Sequence, residues 1–183
     1  FHATKLFHTI EGGAIFTNSI ALHKKMAYIR NFGHDGPGKF KTVGINGKNS
    51  EFHAAMGLVN IKYIDSIYKS RKTQSYYYDK KLKSLKFIKP EISIHASFNY
   101  AYYPIIVESE SQLNEILEKL NNNKVYPRRY FFPTLNKLPY VKAIEMPIAE
   151  AISKRVLCLP LFHTLSFEEI DNICRIILRV QNN

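Results

Sequence analysis

The feature that most constrains this chain is a helical apolar pattern running from Ser50 to about Leu85. Ser50 can cap a helix, and Phe52, Ala55, Met56, Val59, Tyr63, Ile64, Ile67 and Tyr68 follow it at helical spacing. The pattern persists, with more polar residues, to about Leu85. It predicts a long connecting helix over 51–85 that bridges two domains, so the two flanks are read separately.

On the N-terminal side, over 1–50, Ala14-Ile15-Phe16-Thr17 has the character of a short strand entered through the turn Gly12-Gly13. Asn18 is a candidate cap for a helix from about Ile20 to Ile29. A loop from Asn31 to Asn49 with five glycines follows, and ordered loops of that length are usually functional or belong to an interface. These elements are too few to close a sheet. The stretch reads as the tail end of a larger domain whose beginning is missing.

On the C-terminal side, over 86–183, strands and helices alternate and predict a small α/β domain. Residues 92–107 are rich in β-branched and aromatic side chains and form one or two strands. Ser109 and Gln112 make a capping box for a helix with Leu113, Ile116, Leu117 and Leu120 on one face. Lys124-Val125-Tyr126 is strand-like, 128–140 is an aromatic, proline-broken loop, and 156–161 is a short apolar strand. A second capping box, Ser166 and Glu169, opens a last helix that buries Phe167, Ile170, Ile173, Cys174 and Ile177.

Composition removes several functions. With 45% hydrophobic and 22% charged residues among 183, the chain has the make-up of a soluble globular protein. No apolar run approaches the roughly 20 residues that cross a bilayer. Cys158 and Cys174 are too few for a disulfide framework, which places the protein in a reducing cytoplasm. The seven histidines show no HExxH or Cys/His ligand spacing, so no metal is expected. The net charge of +11 points to an anionic partner, whether nucleic acid, membrane surface or phosphorylated small molecule. Many of the lysines (Lys62, Lys69, Lys72, Lys80, Lys81, Lys83, Lys86) lie along one amphipathic segment, the pattern of a solvated helix face. His34-Asp35 reads as polar loop chemistry, while Arg128 and Arg129 beside Tyr130 suit either an anionic diphosphate or glutamate, or interface packing.

Chemistry concentrates at the start. A lysine acts as a covalent catalyst only as a free amine, which requires desolvation or neighbouring cations. Lys5 lies among Phe1, His2, Leu6, Phe7 and His8, and the pair Gly12-Gly13 allows a tight turn or close approach to a ligand. The segment FHATKLFHTIEGGAIFT, Phe1 to Thr17, resembles the Schiff-base lysine segment of the DegT/DnrJ/StrS-type sugar aminotransferases. Gly44-Ile45-Asn46-Gly47-Lys48-Asn49-Ser50-Glu51 is similar to the same family's Gly-x-Asn-x-Arg-Met-x-Glu loop and helix start. Looser blocks at 127–133 and Leu159-Pro160-Leu161 occur in family order.

The resemblance implies the C-terminal portion of a fold-type-I, pyridoxal-phosphate-dependent enzyme: an incomplete large domain over 1–50, the connecting helix, and the small domain. It implies that Lys5 binds pyridoxal 5'-phosphate covalently and, once displaced, shuttles the proton of the transamination. It implies that Asn46 reaches the cofactor phosphate of the neighbouring subunit in a homodimer. The expected reaction moves an amino group from L-glutamate to a nucleotide-linked keto sugar, of the dTDP-4-keto-6-deoxyhexose type, in a pathway towards surface polysaccharide or a glycosylated metabolite. Lys48-Asn49 replaces the family's Arg-Met, and a lysine cannot copy a bidentate guanidinium contact. The family's phosphate-binding turn, stacking aromatic and pyridine-nitrogen aspartate are absent, so this chain alone is expected to be inactive. The chain opens at Phe1 inside a motif and is read as a fragment. Two other classes stay open: a non-catalytic dimerisation or binding module, and a basic nucleic-acid-binding protein, for which no motif is present.

Overall fold

Serine hydroxyls decide where several helices begin. Ser19, one residue beyond the expected cap at Asn18, accepts the Leu22 N–H (3.3 Å) and opens α1, Ile20–Arg30. Ser50 accepts the His53 N–H (3.3 Å) and opens α2, Glu51–Asn60. The computed structural model describes residues 1–142 and 144–181, which fall into two units, Phe1–Ile64 and the chain from Asp65 onward.

The helical run expected over 51–85 is broken. Lys62 N–H bonds Val59 O (3.1 Å) and Tyr63 N–H bonds Asn60 O (3.0 Å), three-residue bonds that tighten the coil and end α2. The chain restarts as α3, Ile64–Lys81. Apolar spacing stays near phase across the break, which is why the pattern alone reads as one helix.

In the first unit the 31–49 loop folds back on α1. The last carbonyls of a helix lack intrahelical donors, and here Tyr28 O takes Gly33 N–H (2.8 Å), Ile29 O takes Ile45 N–H (2.8 Å) and Arg30 O takes Gly47 N–H (2.9 Å). Closing the loop brings its limbs together at Gly33 (φ +78°) and Gly44. A Cβ on the first would overlap the Thr42 carbonyl, and one on the second the Gly33 nitrogen. The strand expected at Ala14–Thr17 does not form: among the described residues no segment pairs with it, and Phe16 stays 89% exposed.

The second unit holds the core. Strand β1, Tyr103–Ile106, pairs antiparallel with β2, Val156–Leu159, in the register Tyr103 to Leu159 and Ile106 to Val156. Helix α4, Glu110–Asn122, packs on α6, Phe167–Gln181, through Leu113, Ile116 and Leu120 from the one and Ile170, Ile173, Cys174 and Ile177 from the other. The capping box at Ser166 closes, and the one at Ser109 forms only its serine half. Ser166 and Glu169 exchange bonds of 3.2 and 2.7 Å, whereas Gln112 reaches back to the Glu108 N–H (3.0 Å) rather than that of the cap. Tyr78 from α3 stacks on Tyr103 (4.7 Å between centroids) and donates to Pro160 O (3.0 Å).

Three expectations are corrected here. The strand read over 92–107 shrinks to β1, because Ser93–Ala96 turn and Tyr100 takes a positive φ of 51°. Lys124-Val125-Tyr126 is not a strand: Lys124 sits at φ 62°, and Val125 N–H caps Leu120 O (2.9 Å) at the end of α4. Phe167 is 45% exposed, lying on the Tyr77 ring (4.3 Å) instead of in the core. A short helix α5, Pro147–Ser153, was not anticipated, although proline at its first turn was the available signal.

Gln74 on α3 is buried and donates to the carbonyls of Phe162 and Leu165 (both 2.9 Å), the turn that leads into α6. Gln74→Ala leaves those carbonyls without this donor and should destabilise the fold by about 1–3 kcal/mol in urea titrations. Glu150 on α5 accepts Met146 N–H (3.1 Å), Asn136 Nδ2 (2.7 Å) and Lys137 Nζ (3.1 Å), and these donors hold its carboxyl below the usual carboxylate range. A carboxyl depressed in the folded state stabilises above its unfolded pKa, and that contribution is lost as pH falls through the folded value. Glu150→Gln should therefore melt below wild type at neutral pH, with the gap closing in acid; a pH-independent gap would contradict this assignment.

Candidate active site

Lys5 stands on a closed loop. The Phe1 nitrogen donates to Gly12 O (2.6 Å), Thr9 N–H to Phe1 O (3.0 Å), and Glu11 N–H to Thr9 O (2.8 Å). The Thr9 hydroxyl donates to Glu11 O (2.5 Å), and His2 Nε2 lies 3.5 Å from Glu11 Oε1. Gly12 is required twice: its φ is +151°, and a Cβ would collide with the Thr9 hydroxyl. Gly13 faces open space. Within this ring the Lys5 N–H donates to His2 O (3.0 Å), while its side chain is exposed and its amine has no protein partner among the described residues.

Helix α2 seats the loop. Asn60 Nδ2 donates to His8 O (2.9 Å), and Gly57 lets Thr9 close on the helix, since a Cβ there would sit 2.9 Å from Thr9 Cγ2. Thr9 is 6% exposed, among the few buried residues of this unit. Thr9, Gly57 and Asn60 escaped the sequence reading. A glycine inside a helical pattern was the usable signal, because it marks a close approach.

Asn46 lies on the returning limb of the 31–49 loop, bridged to Asn31 and exposed. Its Oδ1 accepts from Lys48 Nζ (3.0 Å), and the same amine sits 4.1 Å above the Phe32 ring. Lys48 thereby orients the amide so that its N–H donors, which have no partner among the described residues, lie next to a positive charge. This is the polarity that a phosphate needs. His34 packs on Phe40 (4.7 Å) instead of pairing with Asp35, whose charge raises the Tyr28 pKa.

The adjacent Arg128 and Arg129 of the second unit part company. Arg129 donates to Ser153 O (3.4 Å) and Lys154 O (3.3 Å) at the end of α5, approaches Glu110 (3.8 Å) and lies on Phe132 (3.7 Å). It is structural. Arg128 is exposed, and its Nη1 bonds the Tyr130 hydroxyl at 2.6 Å. Among the described residues no three His, Cys, Asp or Glu side chains gather as a metal site, and no helix is long and apolar enough to cross a membrane.

The fold is that of part of a fold-type-I aminotransferase, as solved structures with the same fold show. PseC of Helicobacter pylori, an aminotransferase of pseudaminic acid biosynthesis, superposes with a TM-score of 0.80 at 26% identity, covering 98% of this chain and 51% of its own. DesI, solved with its TDP-sugar product, gives 0.84 at 28%, covering 98% and 48%. The chain belongs to the DegT/DnrJ/EryC1/StrS aminotransferase family, whose profile matches residues 1–178. A dTDP-4-amino-4,6-dideoxy-D-glucose transaminase of Shigella dysenteriae is 35% identical over 99% of this chain and 51% of its own length. The Escherichia coli protein of that name is 32% identical over 92% and 48%. The chain thus spans about half the length of these relatives.

Asn60→Ala removes one of the bonds that fix the Lys5 loop to α2. The amides of Thr9 and Glu11 should then exchange with solvent about fivefold faster, the equivalent of one lost hydrogen bond.

Proposed function

We propose that this chain is the C-terminal half of a pyridoxal-phosphate-dependent aminotransferase that moves an amino group from L-glutamate to a nucleotide-linked keto sugar of the dTDP-4-keto-6-deoxyhexose type. The observation that carries the reading is the unpartnered Lys5 amine on a loop whose backbone is closed by its own residues and seated on α2. The relatives support the substrate class: two are transaminases of a dTDP-linked amino sugar, and DesI was solved with a TDP-sugar.

The residues present fit the cofactor. Lys5 Nζ is free to hold it covalently, and the Asn46 amide, polarised by Lys48, offers donors to its phosphate in a neighbouring subunit of a homodimer. Bound pyridoxal phosphate supplies an electron sink for the carbanion left when the α-proton is removed. Lys5 Nζ, as a free amine, would take up that proton and return it. Residues 1–50 contribute to the large domain, 51–85 connect, and 86–183 form the small domain. The setting is a cytoplasmic route to surface polysaccharide. The exposed Phe16, Val43 and Phe52 of the first unit favour a second reading, in which the chain alone is a dimerisation or binding module without activity.

An absorbance titration with pyridoxal phosphate, followed by borohydride trapping and peptide mapping, separates the two. A visible band with label at Lys5, lost in Lys5→Ala, supports catalytic assembly. No band and no label leaves this chain the binding module.

A further inference from the structure

We infer that Arg128 is an oxyanion contact of this protein, held ready by Tyr130. The backbone at Arg128 is fixed by a two-way bridge to β2: Arg128 N–H donates to Cys158 O (3.1 Å), and Cys158 N–H to Arg128 O (2.8 Å). Its guanidinium is tethered at one nitrogen by the Tyr130 hydroxyl (2.6 Å), with the Tyr130 ring 5.7 Å away. Tyr130 is itself half-buried and packed edge-on against Tyr102 (5.2 Å). Among the described residues no carboxylate comes within ion-pair distance of Arg128, and its Nε and Nη2 have no protein partner. A fixed, solvent-facing and uncompensated guanidinium fork binds two coplanar oxygens without first losing side-chain freedom. The neighbouring Arg129, spent on the end of α5, shows what a structural arginine looks like in the same segment.

Such a fork recognises a phosphate or a carboxylate. The identity of the ligand rests on the aminotransferase reading, in which the oxyanion is either the diphosphate of the sugar nucleotide or a carboxylate of the amino donor.

The test is arginine-specific modification by phenylglyoxal, read at Arg128 and Arg129 separately by fragment mass spectrometry. It is run on the whole chain with sodium chloride, inorganic pyrophosphate, thymidine diphosphate or L-glutamate at equal ionic strength. Pyrophosphate and thymidine diphosphate should slow modification of Arg128 by at least about threefold relative to salt if the substrate diphosphate is the ligand; glutamate alone should do so if the donor is. Protection by none of the three overturns the inference. Tyr130→Phe should lose most of the protection while leaving the melting temperature unchanged, and undiminished protection removes Tyr130 from the proposal. Lys5 trapping is scored on separate samples, so a failure there leaves the pyrophosphate result at Arg128 standing on its own.

Discussion

Two short strands, buried at every residue except Pro104, must satisfy most of their backbone groups on each other. Everything in the second unit is arranged around that need. The pairing of Tyr103–Ile106 with Val156–Leu159 joins segments far apart in sequence, and helices from before, between and after the two strands have to cover it. α4 and α6 do so with apolar stripes, and α3 does so with Tyr78 stacked on Tyr103. Single bridges at Ile88 and Arg128 then occupy the two outer edges of the pair. The placement of Arg128 is therefore a consequence of sheet completion.

The first unit works by a different logic. α1 buries nothing and α2 buries only Gly57, so hydrophobic packing within this unit cannot be what fixes Lys5 and Asn46. Hydrogen bonds do it instead. The Lys5 loop is tied by Phe1, Thr9 and Asn60, and the Asn46 loop by the carbonyls that end α1. Both devices present a side chain outward from a fixed backbone, which suits groups whose ligand arrives from elsewhere.

The legible parts of the sequence were those governed by local rules. The cap at Ser109, the capping box at Ser166, the apolar stripes of α4 and α6, and the family itself could be read without structure, because each rests on neighbours within a turn or two or on a short motif. The break after Asn60 was not legible, since apolar spacing stays near phase across the three-residue backbone bonds that make it. Strand propensity misled at 14–17 and 92–102 because a strand exists only with a partner, and propensity carries no information on partners. The difference between Arg128 and Arg129 was invisible for the same reason: it is set by α5 and Glu110, not by the arginines.

Gly33 and Gly44 sit where the long loop closes, but they are held to glycine on different grounds. A methyl group at Gly33 would overlap the Thr42 carbonyl, and its φ of +78° disfavours an L side chain whatever the space. A methyl group at Gly44 would meet the backbone of Ile29, Phe32 and Gly33. A wider loop would therefore release Gly44 and leave Gly33 bound to glycine, so the two positions carry unequal freedom to vary.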